Sequence, residues 1–304
     1  MRHSRSDRFD EKLPRSGALP TSGRWSDYAS DPNDPAALAH RAAVLRAAWR
    51  PPVPDRLTFL EERCRGLRVL DIGCVAHDLA RLDSPSWLHG RIAAAAEECV
   101  GVDILEEEVA ELNRLGFRVI AHDLGTGLGP VESMAPFDVI VAGELIEHVH
   151  AVDLLFEVAG EVLTPQGELI ITTPNPYAPK RVWAGQRGVV WENADHVTYA
   201  FPSGVAELAE RHGLVLSEAL TTDNPRRERG SLELARQIRR RIRGTQWADT
   251  GYATRGGSRS LRVRPGAPRA RISAKRRPDA WFIGETFVYV VRRSQGPIAP
   301  HVPA

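Results

Sequence analysis

Glu144, Glu147 and His148 lie within five positions, and Asp195-His196-Val197 supplies a second imidazole. Carboxylates and imidazoles at that density suit removal of a proton from a hydroxyl, because histidine needs only a modest pKa shift to act as a base near neutral pH. On a single helical turn Glu144, Glu147 and His148 would face one side, at i, i+3 and i+4. A second constellation is more widely spread. The run Val69-Leu70-Asp71-Ile72 breaks at Gly73-Cys74, and a later run, Val100-Gly101-Val102, closes on Asp103. Glycine at such a break lets backbone N–H groups approach a ligand. A carboxylate ending the next strand can accept hydrogen bonds from both hydroxyls of a ribose. No Gly-x-Gly-x-x-Gly follows the first run. A ribose-bearing cofactor without a pyrophosphate is therefore expected, and a nicotinamide dehydrogenase is disfavoured.

These residues need a scaffold that gathers strand ends on one edge. Apolar, β-branched runs predict strands over 68–72, 99–102, 118–121, 137–142, 168–173, 215–220 and 286–291, and helical periodicity falls at 105–115, 151–163 and 203–212. Such alternation predicts a largely parallel sheet covered on both faces. Asn33-Asp34-Pro35 is a helix start signal for 35–49, and a second short helix is expected over 55–65. The chain divides accordingly. Residues 1–34 lack periodicity and read as a disordered N-terminus, and 35–66 form N-terminal helices. Segments 67–224 and 284–293 build the α/β domain, with a basic insertion at 225–283 and a tail at 294–304.

Val69-Leu70-Asp71-Ile72-Gly73-Cys74 resembles the first motif of the class I S-adenosylmethionine-dependent methyltransferases. Phe137 to Val149 resembles their fourth strand and following loop, and Trp87-Leu88-His89-Gly90-Arg91 is similar to a bacterial subgroup. The resemblance covers about 68–223 plus the last strand. It implies a three-layer Rossmann-like fold whose seven-stranded, mostly parallel sheet has an antiparallel last strand beside the sixth. It implies S-adenosyl-L-methionine as cofactor, met by Asp71, Gly73 and Cys74 in the first loop. Asp103 would then hold the ribose and Ile104 pack on the adenine, with His122, Asp123 and Leu124 around the base and Gly143 bordering the sulfonium. One stretch departs from the family: Val75-Ala76-His77-Asp78 replaces the usual glycines. Val75 and His77 are expected to narrow the space for the methionine amino and carboxylate groups, with His77 as an added polar contact. The set Glu144, Glu147, His148 and His196 resembles the metal site of small-RNA 2′-O-methyltransferases and is similar to that of metal-dependent quinone O-methyltransferases. There a divalent ion polarises hydroxyl oxygens. Without a metal, His148, His196 and Glu144 are the catalytic candidates.

At 304 residues, with 42% hydrophobic and 26% charged residues, the chain can bury a sizeable core. Three cysteines show neither metal nor disulfide spacing, and no apolar run approaches the ~18 residues of a membrane span. A cytoplasmic protein is expected. The net charge of +1 hides an asymmetry, since 226–277 holds 17 basic and 3 acidic residues. An arginine-rich insertion of that kind suits nucleic acid phosphates, an anionic membrane surface or an anionic, sugar-containing acceptor. The loop after Thr172-Thr173-Pro174-Asn175-Pro176-Tyr177 is expected to form an acceptor wall, with Trp183, Trp191 and Tyr199 available for stacking. The activity expected is O-methylation of a small-molecule or glycan-type acceptor. A small-RNA 2′-O-methyltransferase and a non-catalytic binding module of the same fold are the alternatives.

Overall fold

The computed structural model describes residues 23–222, apart from 76 and 81, together with 284–294. Expectations for the first 22 residues, the basic insertion and the tail beyond 294 lie outside the described residues.

Seven strands share one sheet in the order β3-β2-β1-β4-β5-β7-β6. They are β1 (Arg68–Ile72), β2 (Glu98–Asp103), β3 (Val119–Ala121), β4 (Phe137–Gly143), β5 (Leu163–Pro174), β6 (Leu214–Thr222) and β7 (Thr286–Arg293). The first five pair in parallel, and β7 lies antiparallel between β5 and β6. This is the arrangement expected from the sequence. Strand order reverses beside β1, where β2 and β3 lie on one side and β4 and β5 on the other. The carboxyl ends of β1 and β4 therefore flank the crevice in which open α/β sheets bind ligands.

Strand side chains alternate between two cores, as burial on both faces of a sheet requires. Leu70, Ile140, Ala142, Leu169, Ile171, Phe287 and Tyr289 face one core. That core is covered by α1 (Pro35–Ala48), α5 (Leu154–Val162) and α7 (Pro202–Arg211). Val69, Val139, Val141, Ile170, Val288 and Val290 face the other, covered by α2 (Arg56–Cys64) and α3 (Leu88–Ala95). A third cluster packs α4 (Glu106–Arg114) against Cys74, Val75, Trp87 and Val119. The two N-terminal helices thus straddle the sheet. Between them Arg50 N–H donates to the Ala219 carbonyl at 2.9 Å and Val53 N–H to that of Thr221 at 3.0 Å, lining the outer edge of β6.

Local signals account for most helix starts. The Asp34 side chain accepts from Ala36 N–H at 2.7 Å ahead of Pro35, and Asp55 accepts from Thr58 N–H at 2.6 Å. Two helices were not expected. α3 starts without a side-chain cap and contains Gly90, whose absent Cβ would lie 2.4 Å from the Trp87 ring. α6 (Pro179–Gly185) has only seven residues. Neither offers enough periodicity for sequence reading.

Candidate active site

The first loop leaves β1 at Gly73, whose φ is +74° and whose absent Cβ would lie 2.9 Å from Leu145. Only glycine fits both conditions. Cys74 and Val75 then turn into the cluster against α4 and are buried. Val75 therefore does not narrow the cleft, contrary to expectation, because its isopropyl group is spent on packing. Val75 N–H donates to Asp103 Oδ2 at 3.0 Å, and Leu105 N–H donates to Oδ1 at 3.2 Å. The carboxylate at the end of β2 is thereby fixed, and each oxygen retains a lone pair for a further donor. Next to it Ile104 is 67% exposed, an apolar side chain left without cover. On β3's exit, His122 N–H donates to the Asp103 carbonyl at 3.0 Å, and the His122 ring meets the Gly127 carbonyl at 2.8 Å. Asp123 is exposed and caps a short 3-10 turn through Gly125 N–H at 2.8 Å, while Leu124 is buried in the core. Gly73, Asp103, Ile104 and Asp123 thus line the carboxyl ends of three neighbouring strands. Asp71 is elsewhere. Its carboxylate is buried within β1 and lies 2.9 Å from Nδ1 of buried His89.

β4 ends at Gly143, where a Cβ would lie 2.6 Å from Leu88. Glu144 follows with φ of +55°, its N–H donating to the Thr172 carbonyl at 2.9 Å. The chain then makes a turn, with His148 N–H on the Leu145 carbonyl at 2.9 Å, instead of the helical turn anticipated. That difference sets Glu144 apart from the other two. The Glu144 carboxylate lies 3.9 Å from Arg56 of α2, whereas Glu147 points inward and His148 faces the segment around Asp195 and His196. The left-handed backbone at Glu144 breaks the i, i+3, i+4 relation.

Glu147 is fully buried. One carboxylate oxygen accepts from Thr173 Oγ1 at 3.0 Å, and the other has no hydrogen-bond partner. Burial, reinforced by the Glu144 charge, pushes its pKa up to about 8. His148 Nδ1 lies 3.1 Å from Asp195 Oδ2, and its ring meets those of His196 (4.8 Å between centroids) and His77 (5.4 Å). Burial holds the His148 pKa below the ordinary histidine value despite the Asp195 carboxylate. His196 Nδ1 lies 3.3 Å from Glu192, which accepts from Arg181 Nε at 2.7 Å. Two sets of three ligand atoms result, each within 4.8 Å of one another: Glu147, His148 and His196 within, and His77, His148 and Asp195 at the mouth. Asp195, Glu192 and Arg181 had not been singled out. The Asp-His dipeptide at 195–196 was the one available signal. Of the stacking candidates, Trp183 carries the Arg187 guanidinium 3.7 Å over its ring, and burial together with Glu192 raises the Tyr199 pKa to about 12.

The family profile of the methyltransferase domain matches residues 38–219, more than half of the chain. This chain belongs to the methyltransferase family. The class I sheet order and S-adenosylmethionine as the family's donor agree with that membership. A ubiquinone biosynthesis O-methyltransferase of Azorhizobium caulinodans is 33% identical over 115 residues, covering 36% of this chain and 42% of that protein. One from Idiomarina loihiensis is 27% identical over 187 residues, covering 56% and 71%. The chain spans about two fifths of the length of the Azorhizobium protein and of a mitochondrial relative from Mus musculus. Among solved structures, a SAM-dependent methyltransferase from Archaeoglobus fulgidus is 15% identical, covering 83% of this chain and 94% of that one at a TM-score of 0.44. No described helix is long and apolar enough to cross a membrane.

Proposed function

We propose that this protein moves a methyl group from S-adenosylmethionine to a hydroxyl oxygen of a small-molecule acceptor. The donor site is formed by Gly73 and the backbone of the first loop, with Asp103 on the ribose, Ile104 on one face of the adenine and Asp123 near its edge. Residues and cofactor fit. Asp103 is pinned by two backbone N–H groups yet keeps acceptor capacity, and the exposed Ile104 beside it offers a flat ring an apolar partner. Bound S-adenosylmethionine supplies a methyl group on a positively charged sulfur, activated for in-line displacement.

The observation that carries the choice of oxygen is the His148–Asp195 pair at the exit of β4. Asp195 accepts a hydrogen bond from Nδ1–H, which keeps that proton on the ring, leaves Nε2 as the acceptor and fixes the tautomer. The acceptor hydroxyl gives its proton to that nitrogen as its oxygen takes the methyl group. Burial keeps the imidazole neutral and ready. Positioning supplies most of the acceleration in such a displacement, and a general base adds about 10²–10⁴-fold. Relatives named for ubiquinone biosynthesis O-methylation support an oxygen acceptor. Three free cysteines suit a reducing compartment such as the cytoplasm. The test is transfer of a labelled methyl group to a panel of phenols, catechols and sugar alcohols. Transfer by the parent protein and its loss in His148→Ala are expected. Unchanged turnover in His148→Ala overturns the assignment.

One observation favours a metal-assisted version. The partnerless, buried Glu147 oxygen lies in the set with His148 and His196. These three fit a divalent cation by donor type, and such an ion when bound polarises the acceptor hydroxyl and lowers its pKa. Glu144 falls outside this set, beside Arg56. An RNA acceptor has no supporting observation among the described residues.

A further inference from the structure

We propose that His77, His148 and Asp195 form a second cation site at the mouth of the cleft, selective for a transition ion of the zinc or cobalt type. Three separate chain segments converge there: the loop after β1, the turn after β4 and the segment before His196. Their ligand atoms lie within 4.8 Å of one another. Two imidazoles and one carboxylate are borderline donors, which favour such ions over magnesium or calcium. A tetrahedral ion with bonds of ~2.1 Å sets its ligand atoms ~3.4 Å apart. The His148–Asp195 edge already measures 3.1 Å. The third member, His77, is exposed on a loop.

The His77 backbone supports the same assignment. Its φ is +75°, in a region that few non-glycine residues adopt. The first loop accepts this conformation at a residue that is not glycine, and the result is an imidazole set against His148. An off-region backbone at a cleft is a reason to look for a function of that side chain. A cation at the mouth joins the loop after β1 to the segment bearing Asp195 and, by taking Nδ1 of His148, displaces the proton held there, so the imidazole serves as the proposed base only while the cation is absent. It differs from the inner set in two members, His77 and Asp195 in place of Glu147 and His196.

Cobalt(II), added alone to chelator-treated full-length protein and followed by its visible absorption, separates the two sets. The titration is run in a Glu147→Gln background, which removes the inner carboxylate, and repeated in His196→Ala. One bound equivalent is expected in each. Addition of His77→Ala or Asp195→Asn, both at exposed positions, should weaken binding at least tenfold. No cobalt spectrum in either background, or binding indifferent to His77→Ala, overturns the proposal. Because no methyl donor is present, either result leaves the methyltransferase reading to its own test.

Discussion

Glu147→Gln removes a carboxylic acid that is fully buried, has one hydrogen bond and faces the charge of Glu144. In the unfolded chain that group ionises near 4.5, whereas burial moves its pKa to about 8 in the folded protein. Between those values the native state holds a proton that the unfolded state has lost, so stability falls as pH rises. The full shift sets a ceiling of about 5 kcal/mol, and relaxation of the surroundings brings the expected loss to about 2–3 kcal/mol. Glutamine keeps the shape and an oxygen to accept from Thr173, but it cannot ionise. Urea unfolding at pH 5 through 8.5, in chelator so that no cation neutralises the site, should show the parent losing this amount relative to Glu147→Gln. The variant should be the more stable protein at pH 8.5 and nearly equal to the parent at pH 5. Parallel pH profiles for the two proteins, or a variant less stable at pH 8.5, would refute the reasoning.

Other perturbations have defined outcomes. Asp103→Ala removes charge-assisted hydrogen bonds worth about 1.5–3 kcal/mol, so calorimetry with S-adenosylhomocysteine should give a Kd raised about 10–100-fold. An unchanged Kd would dismiss the ribose contact. His148→Ala should lower kcat by about 10²–10⁴-fold while donor affinity holds, and the parent's rate should fall on the acid side with a midpoint below the ordinary histidine value. Replacing residues 225–282 with a short glycine-rich turn should leave the thermal midpoint within a few degrees. Thr222 and Thr286 are already paired across β6 and β7, and Glu285 N–H reaches the Thr222 carbonyl at 3.0 Å. A collapse of the fold would show that the insertion holds the sheet together.

The sheet was legible because its strands are apolar on both faces and its turns are marked by glycine and proline. All seven strands stand within a few residues of their expected positions, and β5 alone starts five residues earlier, at Leu163. Site positions were harder to judge. Asp103 ends a strand, and its place follows from that strand. The Glu144–His148 stretch resembles a helical turn in spacing, but one backbone angle at Glu144 redirects everything after it. Val75 is similar. Its identity suggested an obstructed cleft, whereas its contacts with α4 draw it inward. Side chains contributed from afar, such as Arg56, Arg181 and Asp195, leave no periodic trace, because only the folded chain brings them near.

Residues 49–53 run along the outer margin of β6, and β3 at the opposite margin is only three residues long. An unshielded strand margin is a template on which other chains assemble. The first helices therefore serve as insulation as much as packing. A shortened protein beginning at Arg68 would keep every proposed donor contact yet bare the row of β6 carbonyls, and it would be prone to self-association. Any effort to borrow this domain should carry the segment from Pro35 with it.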